Sequence, residues 1–475
     1  MAARTTPNLL PRKDSAIMPN LRIRFDVWIA LAVVGLLIAG MLVVYSSSYD
    51  IAFRSPLSNH DPTYYFRRQF LFMVVGLVAL GGSLIFDYHH FRHLSLLVMG
   101  GTILLLLIVL FFGSSNFGAQ RGLFNNSIQP SELAKLATIM YVSHWLSTKG
   151  DRVKSIAHGL APFAIMIGFV AALIMLQPDL STAILVALIS FTLFFLAGAD
   201  WRHFGLALVV FPIVFVIAYY TFGHVSQRID AWQIAWQDPL LSEQFQIKLI
   251  SIGLGSGGLI GRGPGHGQIK YFVPAAHTDG PFAVWGEEFG FIGSLFVILS
   301  FAFLAYRGVL TARRARDAYG YLLAMGVTVW ISYQALLNIA VVTSTIPFTG
   351  VPLPFMSYGG TSLVVTLAGV GVLLNVSRDP AIGPTLKQKE FARRPQPTEK
   401  RPQQRPKQRP TRVAQPQPQR PRRRAQVKGS FMSQILNRFK RGVNEGDDLR
   451  RRNGGTRVPR SGDRRTFGQT WRDEE

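Results

Sequence analysis

The stretch Lys270–Gly290 reads KYFVPAAHTDGPFAVWGEEFG and runs directly into the uncharged apolar segment 291–303. It places Asp279 just before a long apolar segment and Glu287 and Glu288 inside that segment. Ionisable groups within a segment of hydrocarbon length are costly, so they are candidates for function. The stretch therefore predicts a membrane helix that begins at a polar site.

The composition of the whole chain is that of a multi-spanning membrane protein. Of its 475 residues 49% are hydrophobic, its net charge is +24, and it contains no cysteine. Several long apolar runs without charges are not expected in a soluble protein of this length. Disulfides, thiolate metal sites and a cysteine nucleophile are excluded. The first apolar run follows Arg22 and Arg24 without a small-residue cleavage pattern, so it is expected to remain as an anchor.

Ten segments are predicted to span the membrane, which makes the fold an all-α integral membrane protein. A spanning helix needs ~20 apolar residues. The segment 131–146 is shorter and more polar, and it is included because an odd number of spans would put charged loops on conflicting sides. The predicted spans are 26–47, 67–86, 91–113, 131–146, 157–176, 181–198, 202–222, 281–305, 318–342 and 355–377.

The positions of basic residues predict that both termini lie in the cytoplasm. Basic residues before the first span, after the fourth and after the eighth fall on the same side as the basic C-terminal tail, as the positive-inside rule requires. Arg67 and Arg68 are exceptions at the outer end of the second span. The long extracytoplasmic loop 223–280 lies between spans 7 and 8, and its aromatic residues predict segments along the membrane interface.

Three regions are predicted: a disordered cytoplasmic N-terminus at 1–25, a ten-helix membrane domain at 26–378, and a disordered basic cytoplasmic tail at 379–475. The tail is rich in Pro, Gln and Arg and is expected to be attracted to anionic membrane lipids. Its apolar residues recur every four positions over 430–443, which predicts an amphipathic helix on the membrane or a docking peptide. No nucleic-acid partner is expected, because no folded module accompanies the charge.

The three acids of the opening stretch have more than one interpretation. Asp279 precedes Gly280-Pro281, a good helix start, so it is a candidate N-cap. An ionised carboxylate that faces outer solvent can also serve as a general base, and the two roles are compatible. Glu287 and Glu288 lie deeper and must be paired or neutral. They are interpreted as a structural ion pair or as a coupling element that positions the Asp279 loop.

A glycine-rich run at 253–267 precedes this stretch, and it has two interpretations. Its backbone N–H groups could cradle a phosphate, but it matches neither a P-loop nor a dinucleotide fingerprint. Close packing or loop flexibility is the alternative. Arg262, Lys270 and Arg228 lie nearby in the sequence and would suit an anionic ligand such as a pyrophosphate.

Two other regions carry polar residues at spanning segments. Glu132 and Lys135 are spaced to form a salt bridge, and Asp179 at the outer end of a span could reach Lys135, so structural pairing is predicted for all three. The segment 347–360 contains three prolines and cannot be regular helix, so it is expected to pack on protein or line a cavity. Asn338, Ser357 and Tyr358 could supply neutral hydrogen bonds there. No tight carboxylate cluster resembles a metal site, so the metal requirement is unknown.

Taken in order, these motifs resemble the SEDS family of bacterial shape, elongation, division and sporulation proteins. The residues within the motifs favour its FtsW-like branch. The resemblance covers roughly residues 22–380. It departs from the family's usual pattern at Gly280-Pro281, where bulky apolar residues are common. The motifs are GAQRGLF…QPSELAK at 118–135, QPDLSTA at 177–183, GGLIGRGPGHG at 257–267, PAAHTDGPFAVWGEEFGFIG at 274–293 and NIAVVTSTIPFTGVPLPFMSYGGTS at 338–362.

The resemblance implies a peptidoglycan glycosyltransferase that polymerises lipid II at the outer face of the cytoplasmic membrane, at the division septum. It implies a class B penicillin-binding protein as partner, with other divisome proteins, and Asp279 as general base. No cofactor is certain, and a divalent cation, Mg²⁺ or Mn²⁺, is compatible with the reaction. The alternatives are a lipid II flippase and a non-catalytic scaffold. The substrate-binding candidates are Arg262, Lys270, Arg228, His277, Gln246, Ser357 and Tyr358.

Overall fold

The computed structural model describes residues 25–112, 114–116, 119–122, 129–237, 245–273, 276–347 and 349–378. The predictions for the N-terminal segment before residue 25 and for the tail, including its amphipathic helix at 430–443, lie outside these residues. The membrane domain is therefore the part of the chain whose fold can be compared with the sequence.

Twelve α-helices, one short antiparallel hairpin and several short 3₁₀ or π turns make up the regular structure of the described residues. In the hairpin, β1 (Ser114–Asn116) pairs with β2 (Ala119–Gly122). The helices are α1 (Val27–Arg54), α2 (Tyr64–Ile85), α3 (Tyr88–Phe112), α4 (Pro130–Lys149), α5 (Ala161–Met175), α6 (Leu180–Leu196), α7 (Trp201–Thr221), α8 (Gly223–Gln237), α9 (Phe245–Ser256), α10 (Pro281–Arg313), α11 (Ala318–Val342) and α12 (Gly360–Ser377).

A helix occupies each of the ten predicted spans, and α8 and α9 form the regular structure of the long loop. Eight helices are long and apolar enough to cross a membrane, with α5 counted together with the π-helical turn Ile156–Leu160 that precedes it. The other two are α4, which is polar at its start, and α6, which has 17 residues. The multi-pass fold is confirmed, while the count of ten spans stays a prediction.

The core of the bundle is built around α4, α11 and α12. Trp330 and Tyr319 of α11 and Lys135 of α4 are among the largest fully buried side chains. Helix α12 packs so closely on α2 that a Cβ atom at Gly371 would overlap the backbone of Leu80. Small residues permit such close approach between membrane helices. Helix α7, in contrast, is almost entirely exposed and apolar, as expected of a helix that faces lipid.

Helix α10 covers the predicted span 281–305, and it is broken at Gly290, a feature that the sequence did not predict. This residue has φ 67° and ψ −162°, a conformation open to glycine and costly for other residues. The backbone groups freed by the break bond to the glycine-rich run: Phe291 N–H donates to the Gly258 carbonyl at 2.9 Å, and Gly263 N–H donates to the Glu288 carbonyl at 3.0 Å. Interrupted membrane helices need such partners.

The glycine-rich run therefore packs directly against backbone, which supports the close-packing interpretation. A side chain at Gly257 would overlap the carbonyl oxygen of Gly286, and one at Gly261 would overlap that of Glu288. The described contacts of this run are thus with the chain itself, and the phosphate-cradle interpretation gains no support from them.

Replacing Gly261 by alanine is expected to destabilise the protein by at least ~2 kcal/mol, from strain at positive φ and from overpacking. Gly261 has φ 89° and no room for a Cβ atom. Gly255 is the matched control, because it lies in α9 with open space around it, and Gly255→Ala should be neutral or slightly stabilising. Thermal unfolding in nanodiscs measures both. Equal melting temperatures for the two variants would contradict the packing described here.

The prediction that the last span begins near residue 355 is wrong, because α12 starts at Gly360. Phe355 has φ 65°, which no helix accommodates. Two side chains of α11 hold the preceding segment: Asn338 Nδ2 donates to the Val351 carbonyl at 2.7 Å, and Gln334 Nε2 donates to that of Pro352 at 2.9 Å. Non-helical backbone packed on protein, predicted for this segment, is confirmed.

Candidate functional site

Asp279 lies in the turn that leads into α10, and its carboxylate is partly exposed. Its prediction as N-cap is wrong, because the cap position belongs to Gly280 and the helix begins at Pro281. Proline suits this first position because it has no N–H to satisfy there. A Cβ atom at Gly350 would lie 3.8 Å from Asp279 Oδ2, so the carboxylate stands beside the segment that precedes α12.

The turn that carries Asp279 is fixed to two distant parts of the chain. Tyr358 N–H donates to the His277 carbonyl at 2.8 Å. Gln69 of α2 is buried, its Nε2 donates to the Ser357 carbonyl at 3.1 Å, and its Oε1 accepts from Gly359 N–H at 3.3 Å. The start of α2, the Asp279 turn and the segment before α12 therefore form one bonded unit. The sequence reasoning missed Gln69, although a glutamine inside an apolar span is itself a signal.

The His277 ring lies among aromatic side chains. Its centroid is 5.0 Å from that of Tyr65 and 5.3 Å from that of Tyr358. His277 is nine-tenths buried, and among the described residues its Nδ1 atom has no hydrogen-bond partner. Burial lowers the pKa of His277 to about 4, and burial raises the pKa of the Tyr358 phenol. Both rings are therefore neutral at physiological pH.

Because the pKa of His277 is lower in the folded protein than its ordinary value of 6.5, acid should destabilise the fold. The unfolded chain binds this proton more readily, so stability is fully present above pH 6.5 and falls progressively as the pH drops towards 4. We expect the melting temperature of wild type to fall more between pH 7 and pH 4.5 than that of His277→Phe, which keeps an aromatic ring. Parallel pH profiles of the two proteins would contradict this prediction.

Glu287 and Glu288 are both buried and occupied by internal partners, as the structural interpretation predicts. Glu288 forms a salt bridge with Lys270 at 2.9 Å and accepts a hydrogen bond from Ser46 of α1. Glu287 accepts from the backbone N–H groups of Gln268 and Ile269 at 2.9 and 3.0 Å. Since both acids bind the segment that leads to Asp279, their placement also agrees with a coupling role.

The cations predicted for a pyrophosphate differ in accessibility. Lys270 is buried, and its ammonium group donates to Ser46, to the Gly265 carbonyl and to Glu288. Arg262 is about one-third exposed, 38% for its side chain, and its Nη1 atom lies 3.5 Å from Glu287 Oε1. Arg228 is half-buried in α8. Of these three cations, Arg262 is therefore the one whose guanidinium group is shown to be partly exposed to a ligand.

Two other substrate-binding candidates, Ser357 and Gln246, lie in separate parts of the chain. Ser357 is buried, and its hydroxyl oxygen accepts from Leu353 N–H at 2.7 Å, which stabilises the turn. Gln246 lies in α9, and its side chain is outside what the structure describes. Trp232 of α8 donates to the Ser344 carbonyl at 3.1 Å, so the long loop reaches the end of α11.

The polar residues of α4 form a buried network next to this site. Lys135 lies 2.8 Å from Glu132 and donates to Gln334 Oε1 at 2.9 Å, so the predicted pair exists. Asp179, predicted within reach of Lys135, instead accepts from Ser131 Oγ at 3.0 Å and from Thr182 N–H at 3.3 Å, as the N-cap of α6. Through Gln334 the network holds the segment beside Asp279, which agrees with a structural role.

A resident metal site does not emerge from the described part of the chain. No group of three or more His, Asp or Glu side chains is arranged there to hold an ion. Mg²⁺ is commonly bound by one or two carboxylates together with substrate phosphates. Asp279 supplies one such carboxylate in the described site.

These features define a multi-pass helical membrane protein with a polar site where α2, α10 and α12 begin. The family model described as "Cell cycle protein" (FTSW_RODA_SPOVE) matches residues 27–381. The chain belongs to this family, and its relatives place it in the FtsW-like branch.

Curated relatives and solved structures agree with this family. The chain is 37% identical over 362 residues to a protein of Geobacter metallireducens named "Probable peptidoglycan glycosyltransferase FtsW", covering 74% of this chain and 95% of the relative. It is 37% identical over 366 residues to "Stage V sporulation protein E" of Bacillus subtilis, covering 74% and 97%. A chain from "Structural coordination of polymerization and crosslinking by a peptidoglycan synthase complex" aligns with a TM-score of 0.63 at 25% identity, covering 76% of this chain and all of that one.

Proposed function

We propose that this protein is a peptidoglycan glycosyltransferase that polymerises lipid II at the outer face of the cytoplasmic membrane during cell division. The observation that carries the proposal is the partly exposed carboxylate of Asp279, held in a fixed turn beside the segment 349–359. Family membership supports it, because relatives in the family are named peptidoglycan glycosyltransferases.

The reaction requires a base and a stabilised leaving group. Asp279 accepts the proton of the acceptor sugar hydroxyl, whose oxygen attacks the anomeric carbon of the donor sugar. The bond from that carbon to the phosphate oxygen breaks, and the lipid pyrophosphate leaves with the electron pair. A positioned general base contributes a factor of roughly 10²–10⁴ to such a step.

Arg262 is the first candidate to bind the leaving pyrophosphate, because its guanidinium group is partly exposed and suits bidentate phosphate contacts. Arg228 and Gln246, on α8 and α9, are further candidates, as are Ser357 and Tyr358 before α12. Lys270 would contribute positive charge from within its pair with Glu288. A substrate-borne Mg²⁺ or Mn²⁺ would neutralise further phosphate charge.

The proposed partner is a class B penicillin-binding protein that crosslinks the new strands, and the proposed location is the division septum with both termini in the cytoplasm. The solved relative named for a peptidoglycan synthase complex supports a crosslinking partner. A fluorescent fusion of the full chain should therefore concentrate at midcell. Uniform sidewall labelling would favour an elongation role.

The flippase and scaffold alternatives predict different structures or different mutant behaviour. A flippase needs polar groups that reach both faces of the bilayer. Among the described residues, the buried acids and lysines instead lie towards the end of the bundle that holds Asp279; they are Glu132, Lys135, Asp179, Lys270, Glu287 and Glu288. A scaffold would function without the Asp279 carboxylate.

Purified protein in liposomes, supplied with its partner and fluorescent lipid II, tests the proposal. Gel analysis should show glycan strands made by the wild-type protein when the transpeptidase of the partner is blocked. A parallel assay measures transfer of lipid II between leaflets. Transfer of lipid II between leaflets without glycan strands would support the flippase hypothesis instead. The absence of both activities would support the scaffold hypothesis.

A further inference from the structure

Three aromatic rings from distant parts of the chain meet beside the Asp279 turn. The centroids of Tyr65 and His277 are 5.0 Å apart, those of Tyr65 and Tyr358 are 5.2 Å apart, and those of His277 and Tyr358 are 5.3 Å apart. Asp279 follows His277 by two residues. We call these three side chains the aromatic platform.

The platform is rigid and partly accessible. The hydrogen bond from Tyr358 N–H to the His277 carbonyl fixes two of its members, and the Gln69 contacts fix the backbone next to Tyr358. Tyr65 and Tyr358 are only half-buried, so part of each ring remains open to a ligand. Sites held in place by packing and backbone bonds lose little entropy on binding.

One polar atom of the platform is buried and unsatisfied. His277 Nδ1 has no hydrogen-bond partner among the described residues, while the two tyrosines are only half-buried. Buried polar atoms are nearly always paired, so an orphan in a site indicates a bound water or ligand group. A neutral imidazole and a phenol can each donate or accept a hydrogen bond.

The charge around the platform selects among ligands. Arg68 donates to Tyr64 Oη at 3.0 Å and interacts electrostatically with Tyr65 and Tyr358. A positive charge at this edge disfavours the cations that aromatic groups otherwise attract. Aromatic faces with a few hydrogen-bonding groups instead suit a ligand that is apolar on its ring faces and polar at its edges, which describes a sugar.

We propose that Tyr65, His277 and Tyr358 bind a sugar ring of the lipid-linked substrate next to Asp279, and that they do not bind its pyrophosphate. This inference rests on the proposed function. It assigns the platform to the saccharide and leaves the phosphates to the cations of the 262–270 region. Tyr65 and Arg68 thereby become part of the site, although the sequence reasoning treated Arg68 only as an exception in topology.

Binding measurements with two probes test this assignment. Full-length protein in nanodiscs is titrated with lipid II and with undecaprenyl pyrophosphate, which carries the same lipid and phosphates but no sugar. Tyr65→Leu and Tyr358→Leu should weaken lipid II binding about tenfold, the loss of one ring contact, and leave the sugar-free probe unchanged. Tyr65→Phe, which keeps the ring and removes only the hydroxyl, should lose less affinity for lipid II than Tyr65→Leu. Tyr306→Leu, at an exposed tyrosine of α10, is the control.

Each other outcome overturns the proposal. Unchanged lipid II affinity in both leucine variants, or an equal loss for both probes, would show that the platform does not bind the sugar. If these variants do not fold, wild type is tested with the soluble disaccharide peptide of lipid II, which should compete with lipid II, and no competition at millimolar concentration is contrary to the proposal. Wild type that neither binds nor polymerises lipid II would instead refute the proposed function itself.

Discussion

Asp279→Asn is expected to lower the rate of glycan polymerisation by roughly 10²–10⁴-fold, the usual contribution of a general base. Asparagine has nearly the same shape but cannot accept the proton of the attacking hydroxyl. Because Asp279 is partly exposed and does not serve as the cap of α10, the fold should be retained. The measurement is the initial rate of strand formation from fluorescent lipid II, with the partner present and its transpeptidase blocked.

The control for this variant is Asp50→Asn. Asp50 lies in α1 and forms an i,i+4 ion pair with the exposed Arg54, a type of contact that contributes little to stability. Its loss should leave polymerisation within about twofold of wild type. Melting temperature and co-purification with the partner verify that the Asp279 variant is folded. Strands made at the wild-type rate by folded Asp279→Asn would remove this residue from the chemistry.

Lys270→Met is expected to destabilise the protein by ~3–5 kcal/mol, because it leaves the charge of Glu288 buried without its partner. The two side chains are 4% and 2% exposed and lie 2.9 Å apart, so water cannot compensate for the loss. The same change also releases the Gly265 carbonyl and Ser46. Thermal or denaturant unfolding in detergent micelles measures the effect, with ligand absent.

Two comparisons isolate the buried pair. The double variant Lys270→Met, Glu288→Leu should recover much of the lost stability, because it removes both charges. Arg262→Met should cost less than ~1 kcal/mol, since Arg262 is one-third exposed and its contact with Glu287 is 3.5 Å long. A Lys270→Met protein as stable as Arg262→Met would show that the pair contributes nothing to the fold.

Agreement between sequence and structure is closest where a feature depends on local composition. Apolar runs of spanning length are helices in the structure, and so is the more polar segment predicted as a span at α4. The Glu132–Lys135 pair is also present, as its spacing predicts. The site predictions for Asp279 and its substrate-binding neighbours remain predictions, supported by their placement. The break at Gly290 and the start of α12 at Gly360 were not predicted, and at both places contacts from other segments replace local hydrogen bonds.

The sequence by itself determined the class of protein, its family motifs and the position of Asp279 at the end of a span. These follow from hydropathy and from short motifs, which depend on neighbouring residues. Only the tertiary structure decided that Glu288 pairs with Lys270 and Ser46, that the glycine-rich run supports a broken helix, and that Tyr65 meets His277 and Tyr358. The contact of Glu288 with Ser46, for example, joins residues 242 positions apart. Such contacts arise from packing between helices, which no local pattern in the chain encodes.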